Sequence, residues 1–166
     1  MTLSRPKNRR PEGVSLTILT VCRRALAVRS VDVSRVVFYT PGCVVPAAPP
    51  WLEGLLRVGP QASVPQVSLS ALLWPREEAP PPRHAVLVPT PEGLVSFLVD
   101  SVEAVSTVAR QSIAPPPQAV QHLPGPCLLG VIERGQQAVP VVDLAGLLAS
   151  PAGADLAAWF RRRADP

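Results

Sequence analysis

The stretch 130–148 reads GVIERGQQAVPVVDLAGLL and combines a turn, a strand and the start of a helix. Gly135 supplies a turn residue, and a β-rich run with Pro140 at its centre follows it. Proline cannot donate to a sheet ladder, so its position indicates an edge strand or a bulge. After Asp143 the leucines change from a period of two to helical spacing. The stretch therefore predicts a β-hairpin arm that ends in a short helix.

A weaker copy of this pattern lies at 51–73, which reads WLEGLLRVGPQASVPQVSLSALL. Gly54 stands where the later copy has Gly130, and Pro65 stands where it has Pro140. The order of glycine, proline and leucine is the same in both copies, apart from one inserted residue before Pro65. This ordered self-similarity predicts a tandem duplication of one β unit.

The segments VSRV at 33–36 and VEAV at 102–105 precede the two copies in the same order. A repeat of roughly 70–75 residues is too long for a solenoid and predicts two subdomains. The predicted organisation is a flexible basic arm at 1–13, a two-part domain at 14–150 (first subdomain 14–74, proline-rich connector 75–83, second subdomain 84–150), and a C-terminal helix and tail at 151–166.

The composition indicates a folded, all-β chain. Of the 166 residues, 47% are hydrophobic and 17% are charged, which excludes a disordered chain despite 22 prolines. Short valine-rich segments between proline and glycine breaks are typical of strands.

The net charge of +4 comes mostly from the two ends of the chain. Aromatic residues do not alternate with the basic ones, apart from the last helix, which favours solvated tails over a nucleic-acid surface. The apolar run at 14–22 is short for an export signal, and Arg23 and Arg24 follow it directly, so a first strand is the better interpretation. No apolar stretch of about 20 residues lacks charge or proline, so no membrane insertion is expected.

No catalytic, cofactor-binding or metal-binding residues are predicted. Cys22, Cys43 and Cys127 form no C-x-x-C pair, and His84 and His122 stand alone. The G-x-S-x-G, phosphate-loop and H-E-x-x-H motifs are missing from the sequence. These patterns favour a binding protein over an enzyme.

Taken together, the segments resemble the CheW family of chemotaxis adaptor proteins over about 15–148. Four ordered pieces carry the resemblance: Ala27-Val28 with VSRV at 33–36; PPWLEG at 49–54 with Val64-Pro65 and Leu69; LVDSVEAV at 98–105 with IAPPP at 113–117; and GVI at 130–132 with RG at 134–135 and VPVVDL at 139–144. No single piece is highly specific for the family, but the order and spacing of the four pieces together are.

The resemblance implies two tandem five-stranded β-barrels of SH3-like or OB-like form that share a core. It also implies a cytoplasmic, non-catalytic adaptor of a two-component system, recruited to receptor arrays. Its partners would be the cytoplasmic tip of a methyl-accepting chemoreceptor, held between the barrels, and the regulatory domain of a CheA-type histidine kinase. The implied partner-binding residues are Val33, Arg35, Gly54, Arg57, Val102 and Arg134.

Three departures from the family pattern predict that one interface has changed. Arg35 replaces a glutamate, the N-L-R-G segment is lengthened at 55–59, and Ser68 replaces an aspartate. If the family's glutamate and arginine pair across the first barrel, this chain opposes Arg35 to Arg57, which is unfavourable without solvent or an acidic partner. The alternatives are a basic small-barrel nucleic-acid-binding protein and an exported β-domain.

Overall fold

The structure is a computed structural model that describes residues 12–118, 127–149 and 154–164. The predicted basic arm at 1–13 lies almost wholly outside these ranges. The strands in the described ranges are β1 Gly13–Val21, β2 Arg24–Arg29, β3 Arg35–Phe38, β4 Leu52–Arg57, β5 Ser63–Ser68, β6 His84–Thr90, β7 Gly93–Val99, β8 Ser101–Ala109, β9 Leu128–Arg134 and β10 Gln137–Val142. The α-helices are α1 Leu69–Leu73 and α2 Ala154–Ala164, and 3-10 turns occur at Ser30–Asp32, Arg110–Ser112 and Gly146–Ala149. No helix in the described part of the chain has the length and apolar character needed to cross a bilayer.

The strands form two five-stranded sheets, and each sheet takes strands from both halves of the chain. Sheet A has the order β8-β1-β2-β10-β9, and sheet B has the order β3-β6-β7-β5-β4. The predicted division into 14–74 and 84–150 therefore does not separate the sheets. The reason is that β2 pairs in parallel with β10, and β7 with β5, so the last strands of each half join the first strands of the other. Equivalent strands still occupy equivalent places, as the duplication predicts.

A short bridge closes each sheet into a barrel. Beyond β3, Cys43 pairs with Leu55 on β4, and beyond β8, Ala114 pairs with Val131 on β9, each through two backbone hydrogen bonds of 2.9 Å. Each bridge joins the two edges of one sheet, and the two bridges fall at equivalent repeat positions. The prediction of an all-β fold with two five-stranded barrels is confirmed. The closed sheets are called barrel A and barrel B below.

The two prolines of the repeat lie in interior strands, so of the two expectations the edge strand was wrong, whereas a register shift typical of a bulge lies one residue beyond each proline. Pro65 is opposite Leu55 and Pro140 is opposite Val131, whose backbone groups already bond to the closing bridges. Parallel pairing on the other side starts one residue later in both strands. Each proline therefore sits where the ladder requires no N–H from it.

The two barrels share one apolar core, as the sequence analysis predicts. In β6, Val86 and Val88 face this common core, whereas Ala85 and Leu87 face the interior of barrel B. Both faces of the strand are thus buried, which explains its nearly continuous apolar run. Phe97 on β7 is fully buried in the common core, together with Leu19, Val21, Leu26, Val28, Val67, Val95, Val99 and Val142.

The predicted C-terminal helix is α2, which packs against this core. Leu156 is fully buried in it, and Trp159 meets Trp51 edge to face with ring centroids 6.4 Å apart. Phe160 approaches the β6–β7 turn, where its ring lies 4.0 Å from the place a Cβ would occupy on Gly93. The helix therefore holds aromatic contacts to two separate parts of barrel B.

The connector at 75–83 is fastened to barrel A at its start. Arg24 on β2 donates two hydrogen bonds of 2.8 Å to the carboxylate of Glu77, and its guanidinium lies 4.4 Å from the centre of the Trp74 ring. Burial raises the pKa of the nearby Cys22 thiol, and the hydrogen bond from its Sγ to Glu77 adds to the shift. An ion pair and a cation–π contact thus hold the connector in place.

Candidate partner-binding groove

Several large apolar side chains are exposed along the edge strands β3 and β8. Phe38 is 79% exposed, Val105 is 66% exposed and Val36 is 38% exposed, and Val31, just before β3, is 86% exposed. Scattered apolar residues are normal on a protein surface, but a contiguous group of them marks an interaction site. The strand register places Val36, Phe38 and Val105 on the faces that the two barrels turn toward each other.

The exposed residues of β3 continue the face that is buried between the barrels. Val36 is opposite Val86 on β6, and Phe38 is opposite His84, so all four side chains lie on one face of barrel B. Val86 is fully buried in the common core. Val36 and Phe38 are therefore the uncovered part of the surface that barrel B turns toward barrel A.

Val105 occupies the corresponding place on barrel A. It is opposite Thr17 on β1, which in turn is opposite Val28 of the common core. In the duplication Val105 is the counterpart of Val36. Both barrels thus present an exposed valine at the same position of an edge strand, beside the core that they share.

A polar link holds the end of β3 next to barrel A. At its end, Phe38 stacks on His84 with ring centroids 5.1 Å apart, and the backbone N–H of Val102 on β8 donates to His84 Nδ1 at 3.3 Å. The hydroxyl of Ser30, which directly follows β2, lies 2.9 Å from that of Thr17 on β1, a contact within barrel A. The end of β3 is therefore linked to barrel A through His84, and the exposed apolar side chains of β3 and β8 form a surface on the faces that the two barrels turn toward each other. We call this surface the β3–β8 groove.

Two of the six predicted site residues, Val33 and Val102, lie at the margin of this groove. Both are half-buried against the common core, at equivalent positions of the repeat. Arg35 and Arg57 are exposed, and neither has an ion-pair partner among the described residues. They are not cross-strand partners, because β3 pairs with β6 and β4 with β5, and the bridge that closes barrel B joins β4 to Cys43, beyond β3.

Gly54 is buried, contrary to the expectation that it faces a partner. A Cβ at this position would lie 2.8 Å from the carbonyl oxygen of Cys43, in the bridge that closes barrel B. A Cβ on the equivalent Gly130 would lie equally close to the Ala114 carbonyl oxygen, at 2.7 Å. The glycine thus permits the close backbone approach needed for closure, and its place in the repeat is structural.

Arg134, the sixth predicted residue, is exposed and pairs with a carboxylate. Its guanidinium donates to Glu103 at 2.9 Å, and the Thr20 hydroxyl donates to the same carboxylate at 2.8 Å. Glu103 lies on β8 and Arg134 on β9, so the pair connects the two edge strands of barrel A. The equivalent positions in barrel B are Ser34 and Val58, which cannot form such a pair.

The Glu103–Arg134 pair leads to a pH-dependent prediction. The hydrogen bond from Arg134, followed by that from Thr20, holds the pKa of Glu103 below its ordinary value of 4.5. A carboxylate whose pKa falls on folding stabilises the protein above the ordinary pKa, and this contribution is lost as the pH falls through the lower folded pKa. We expect Glu103→Gln to lower the free energy of unfolding at neutral pH by at most about 1 kcal/mol, because both side chains are nearly half exposed.

Urea unfolding at neutral pH and well below pH 4.5 checks this expectation. The variant and the parent protein are expected to converge in acid, where Glu103 is protonated in both states of the parent. A difference that stays constant across this pH range contradicts the assigned role of the pair.

Sequence reasoning did not identify Val36, Phe38 or Val105 as groove residues. Each belongs to an apolar run whose pattern does not show which face another element covers. One signal was available, because the repeat aligns Val105 with Val36 in the segments 102–105 and 33–36.

Among the described residues, no group of three or more His, Cys, Asp or Glu side chains could hold a metal ion.

Two closed β-barrels with a common core and an apolar groove between their edge strands define the class of this protein as a two-barrel β domain. Comparison with known families makes the assignment specific. A family model described as CheW-like domain matches residues 15–153, which is most of the chain. The chain therefore belongs to the CheW-like family. This membership supports a role as a chemotaxis adaptor.

A solved structure shows the same fold. The crystal structure of the scaffolding protein TtCheW from Thermoanaerobacter tengcongensis superposes with a TM-score of 0.72 over 84% of this chain and 95% of that chain. The sequence identity is 17%, so the likeness establishes the fold and not the partners. A comparison with curated proteins finds no match. Helix α2, at Ala154–Ala164, lies beyond the residues that the family model matches.

Proposed function

We propose that this chain is a non-catalytic adaptor in a chemosensory two-component system. It couples the cytoplasmic tip of a chemoreceptor to the regulatory domain of a CheA-type histidine kinase, in the cytoplasm at receptor arrays. The observation that carries the proposal is the β3–β8 groove, an apolar surface left uncovered beside the core of a protein of the CheW-like family.

The groove has the properties that helix docking requires. It offers a row of apolar side chains from two strands, to which an amphipathic helix can present residues spaced by three and four. Val36 and Phe38 contribute one wall and Val105 contributes the other. The hydrogen bond from Val102 to His84, on which Phe38 stacks, holds the end of β3 beside β8 before a partner arrives, which reduces the ordering cost of binding.

An adaptor must leave a second surface free for its second partner. The outer faces of the barrels meet this need, because the groove lies between the barrels. The family resemblance assigns the kinase to the first barrel, which corresponds most closely to barrel B, since that barrel holds Arg35 and Arg57. Receptor and kinase can then be held side by side without competing for one site.

Separate titrations of the two partners test this function. Isothermal calorimetry of the purified chain with a receptor cytoplasmic fragment, and with the kinase regulatory domain, both from the same organism, is expected to give one binding event in each case. A hydrophobic interface with the receptor is expected to show a negative heat-capacity change. Absence of binding to both partners contradicts the proposed function.

A further inference from the structure

A cleft of about 260 Å³ lies at one end of barrel B, beside the three consecutive prolines of the connector at 80–82. Leu98 and Val99, at the end of β7, line it, and so does Ser68, at the end of β5. The backbone N–H of Arg83 donates to the Val99 carbonyl oxygen at 3.1 Å, which fastens the prolines to this end of the barrel. We call this space the connector cleft.

The connector cleft is distinct from the β3–β8 groove and from the end of barrel B that carries Arg35 and Arg57. Arg35 begins β3 opposite Leu87, near the end of β6, and Arg57 ends β4. The cleft lies instead where β4 and β6 begin and where β5 and β7 end. The exposed apolar side chains of the groove do not line it. A molecule in the cleft therefore leaves both of the other surfaces free.

Two carboxylates line the connector cleft. The register of β4 shifts between Leu52 and Gly54, so Glu53 is the extra residue of a bulge, a feature that re-aims a side chain. Asp100 follows β7, and its Oδ2 accepts the backbone N–H of Arg23 at 2.8 Å, which fixes the carboxylate in place. Neither carboxylate forms an ion pair with a described residue. Two unpaired negative charges thus line one cleft of a chain whose net charge is +4.

The other walls suit the aliphatic stem of a long side chain. The prolines at 80–82 and Leu98 offer apolar contacts, and the fixed φ of proline keeps that wall stiff. Ser68 accepts the Ala71 N–H at 3.2 Å and shares a hydrogen bond of 3.0 Å with Ser70, whose hydroxyl keeps a lone pair for a further donor. Pockets for free small molecules usually measure about 300–1,000 Å³, so a cleft of about 260 Å³ fits a single side chain better.

The repeat shows that the fold does not impose this chemistry. The positions of barrel A that are equivalent to Glu53 and Asp100 are Leu129 and Val31, and both are exposed apolar residues. Barrel B therefore has two carboxylates where barrel A has two aliphatic side chains. The acidic cleft belongs to one barrel, the one against which the proline connector lies.

We propose that the connector cleft binds the side chain of an arginine that a protein segment presents to it. The guanidinium suits this cleft because its planar fork of N–H donors binds carboxylates through paired hydrogen bonds, and the aliphatic stem packs along the prolines and Leu98. Charge complementarity selects this occupant, since Glu53 and Asp100 have no cation of their own among the described residues. The inference goes beyond the proposed function, which uses neither carboxylate.

The test compares two double variants of the full chain, each of which removes two negative charges. Glu53→Gln with Asp100→Asn changes the connector cleft and keeps the shape of both side chains. Glu92→Gln with Glu133→Gln changes two exposed carboxylates on the β6–β7 turn and on β9, away from the cleft. Asparagine keeps an oxygen that can accept the Arg23 N–H, and circular dichroism with thermal unfolding establishes that both variants are folded.

The probes are arginine blocked by an acetyl group and a terminal amide, citrulline blocked in the same way, and a blocked peptide with one arginine between pairs of alanines. Proton–nitrogen correlation NMR follows their binding. We expect blocked arginine to shift the amides of Glu53, Ser70 and Asp100 saturably, and to bind the first variant at least about tenfold more weakly than the parent. The second variant should differ from the parent by less than about twofold.

The two remaining probes separate charge from shape and a protein from a small molecule. Citrulline has nearly the shape of arginine without its charge, so it should cause no saturable shift at the cleft. The peptide should bind at least as tightly as blocked arginine, because Glu53 and Pro81 at the border of the cleft are exposed and leave room for flanking backbone. Binding of both should weaken with rising salt.

The outcomes that overturn the proposal are specific. The absence of saturable shifts at the cleft amides with blocked arginine excludes the site. Equal binding of citrulline shows recognition of shape without charge, and equal losses in the two variants show a general effect of net charge; either result contradicts the proposal. If blocked arginine binds and the peptide does not, the occupant is a small molecule and no protein segment. None of these results depends on receptor or kinase binding, so the proposed function stands or fails separately.

Discussion

Replacing Phe97 by alanine is expected to lower the free energy of unfolding by about 3–5 kcal/mol. Phe97 is fully buried in the core shared by both barrels, where strands of sheet A and sheet B meet. Its removal leaves a cavity that the closed strands on either side cannot fill by moving together. Because the core is common, both barrels are expected to lose stability together, in a single transition.

Urea unfolding followed by far-ultraviolet circular dichroism and by tryptophan fluorescence measures this effect. Phe38→Ala is the matched control, because it removes the same side chain from a position that is 79% exposed, and it is expected to cost less than about 1 kcal/mol. A loss below about 1 kcal/mol for Phe97→Ala contradicts the shared core. Two separate unfolding transitions, of which only one shifts to lower urea in Phe97→Ala, also contradict the shared core.

Replacing Val105 by glutamate is expected to weaken binding to the receptor fragment by at least about tenfold, or about 1.4 kcal/mol. Val105 is 66% exposed, so the folded protein tolerates the charge. In the complex the carboxylate is pressed against apolar side chains of the partner and loses water without gaining a hydrogen bond. Binding to the kinase domain is expected to be unchanged, because Val105 lies on barrel A.

Val44→Glu is the matched control for this change. Val44 is 82% exposed on the loop that closes barrel B, away from β3 and β8, and the substitution adds the same charge. It is expected to leave receptor affinity within about twofold of the parent. Equal losses in both variants indicate a general charge effect, whereas no loss in Val105→Glu excludes the β3–β8 groove as the receptor site.

The duplication was the part of the fold most accessible from the sequence. The matched glycines and prolines at Gly54, Gly130, Pro65 and Pro140 predict two related barrels, and the register places them in equivalent pairs. The exchange of strands between the halves was not predictable in the same way. It depends on which strands pair in parallel, and the periodicity of a single strand contains no information about its neighbour.

The candidate site was predicted only in part, for a similar reason. Val33 and Val102 were identified through the repeat and lie at the groove, but Gly54 was assigned to a surface that Cys43 covers. A glycine that permits close backbone approach and one that faces a partner look the same in sequence. The position of α2 beside the β6–β7 turn was also hidden, because it depends on the long-range contact between Phe160 and Gly93.

The central claim is that this chain holds a receptor and a kinase at the same time, on separate surfaces. Co-sedimentation of the kinase regulatory domain with receptor fragments assembled on vesicles, with and without this chain, tests that claim most directly. We predict that the kinase domain sediments only when the chain is present, and that Val105→Glu abolishes this while Val44→Glu does not. Displacement of the receptor fragment by the kinase domain, with no complex containing all three proteins, would contradict the account.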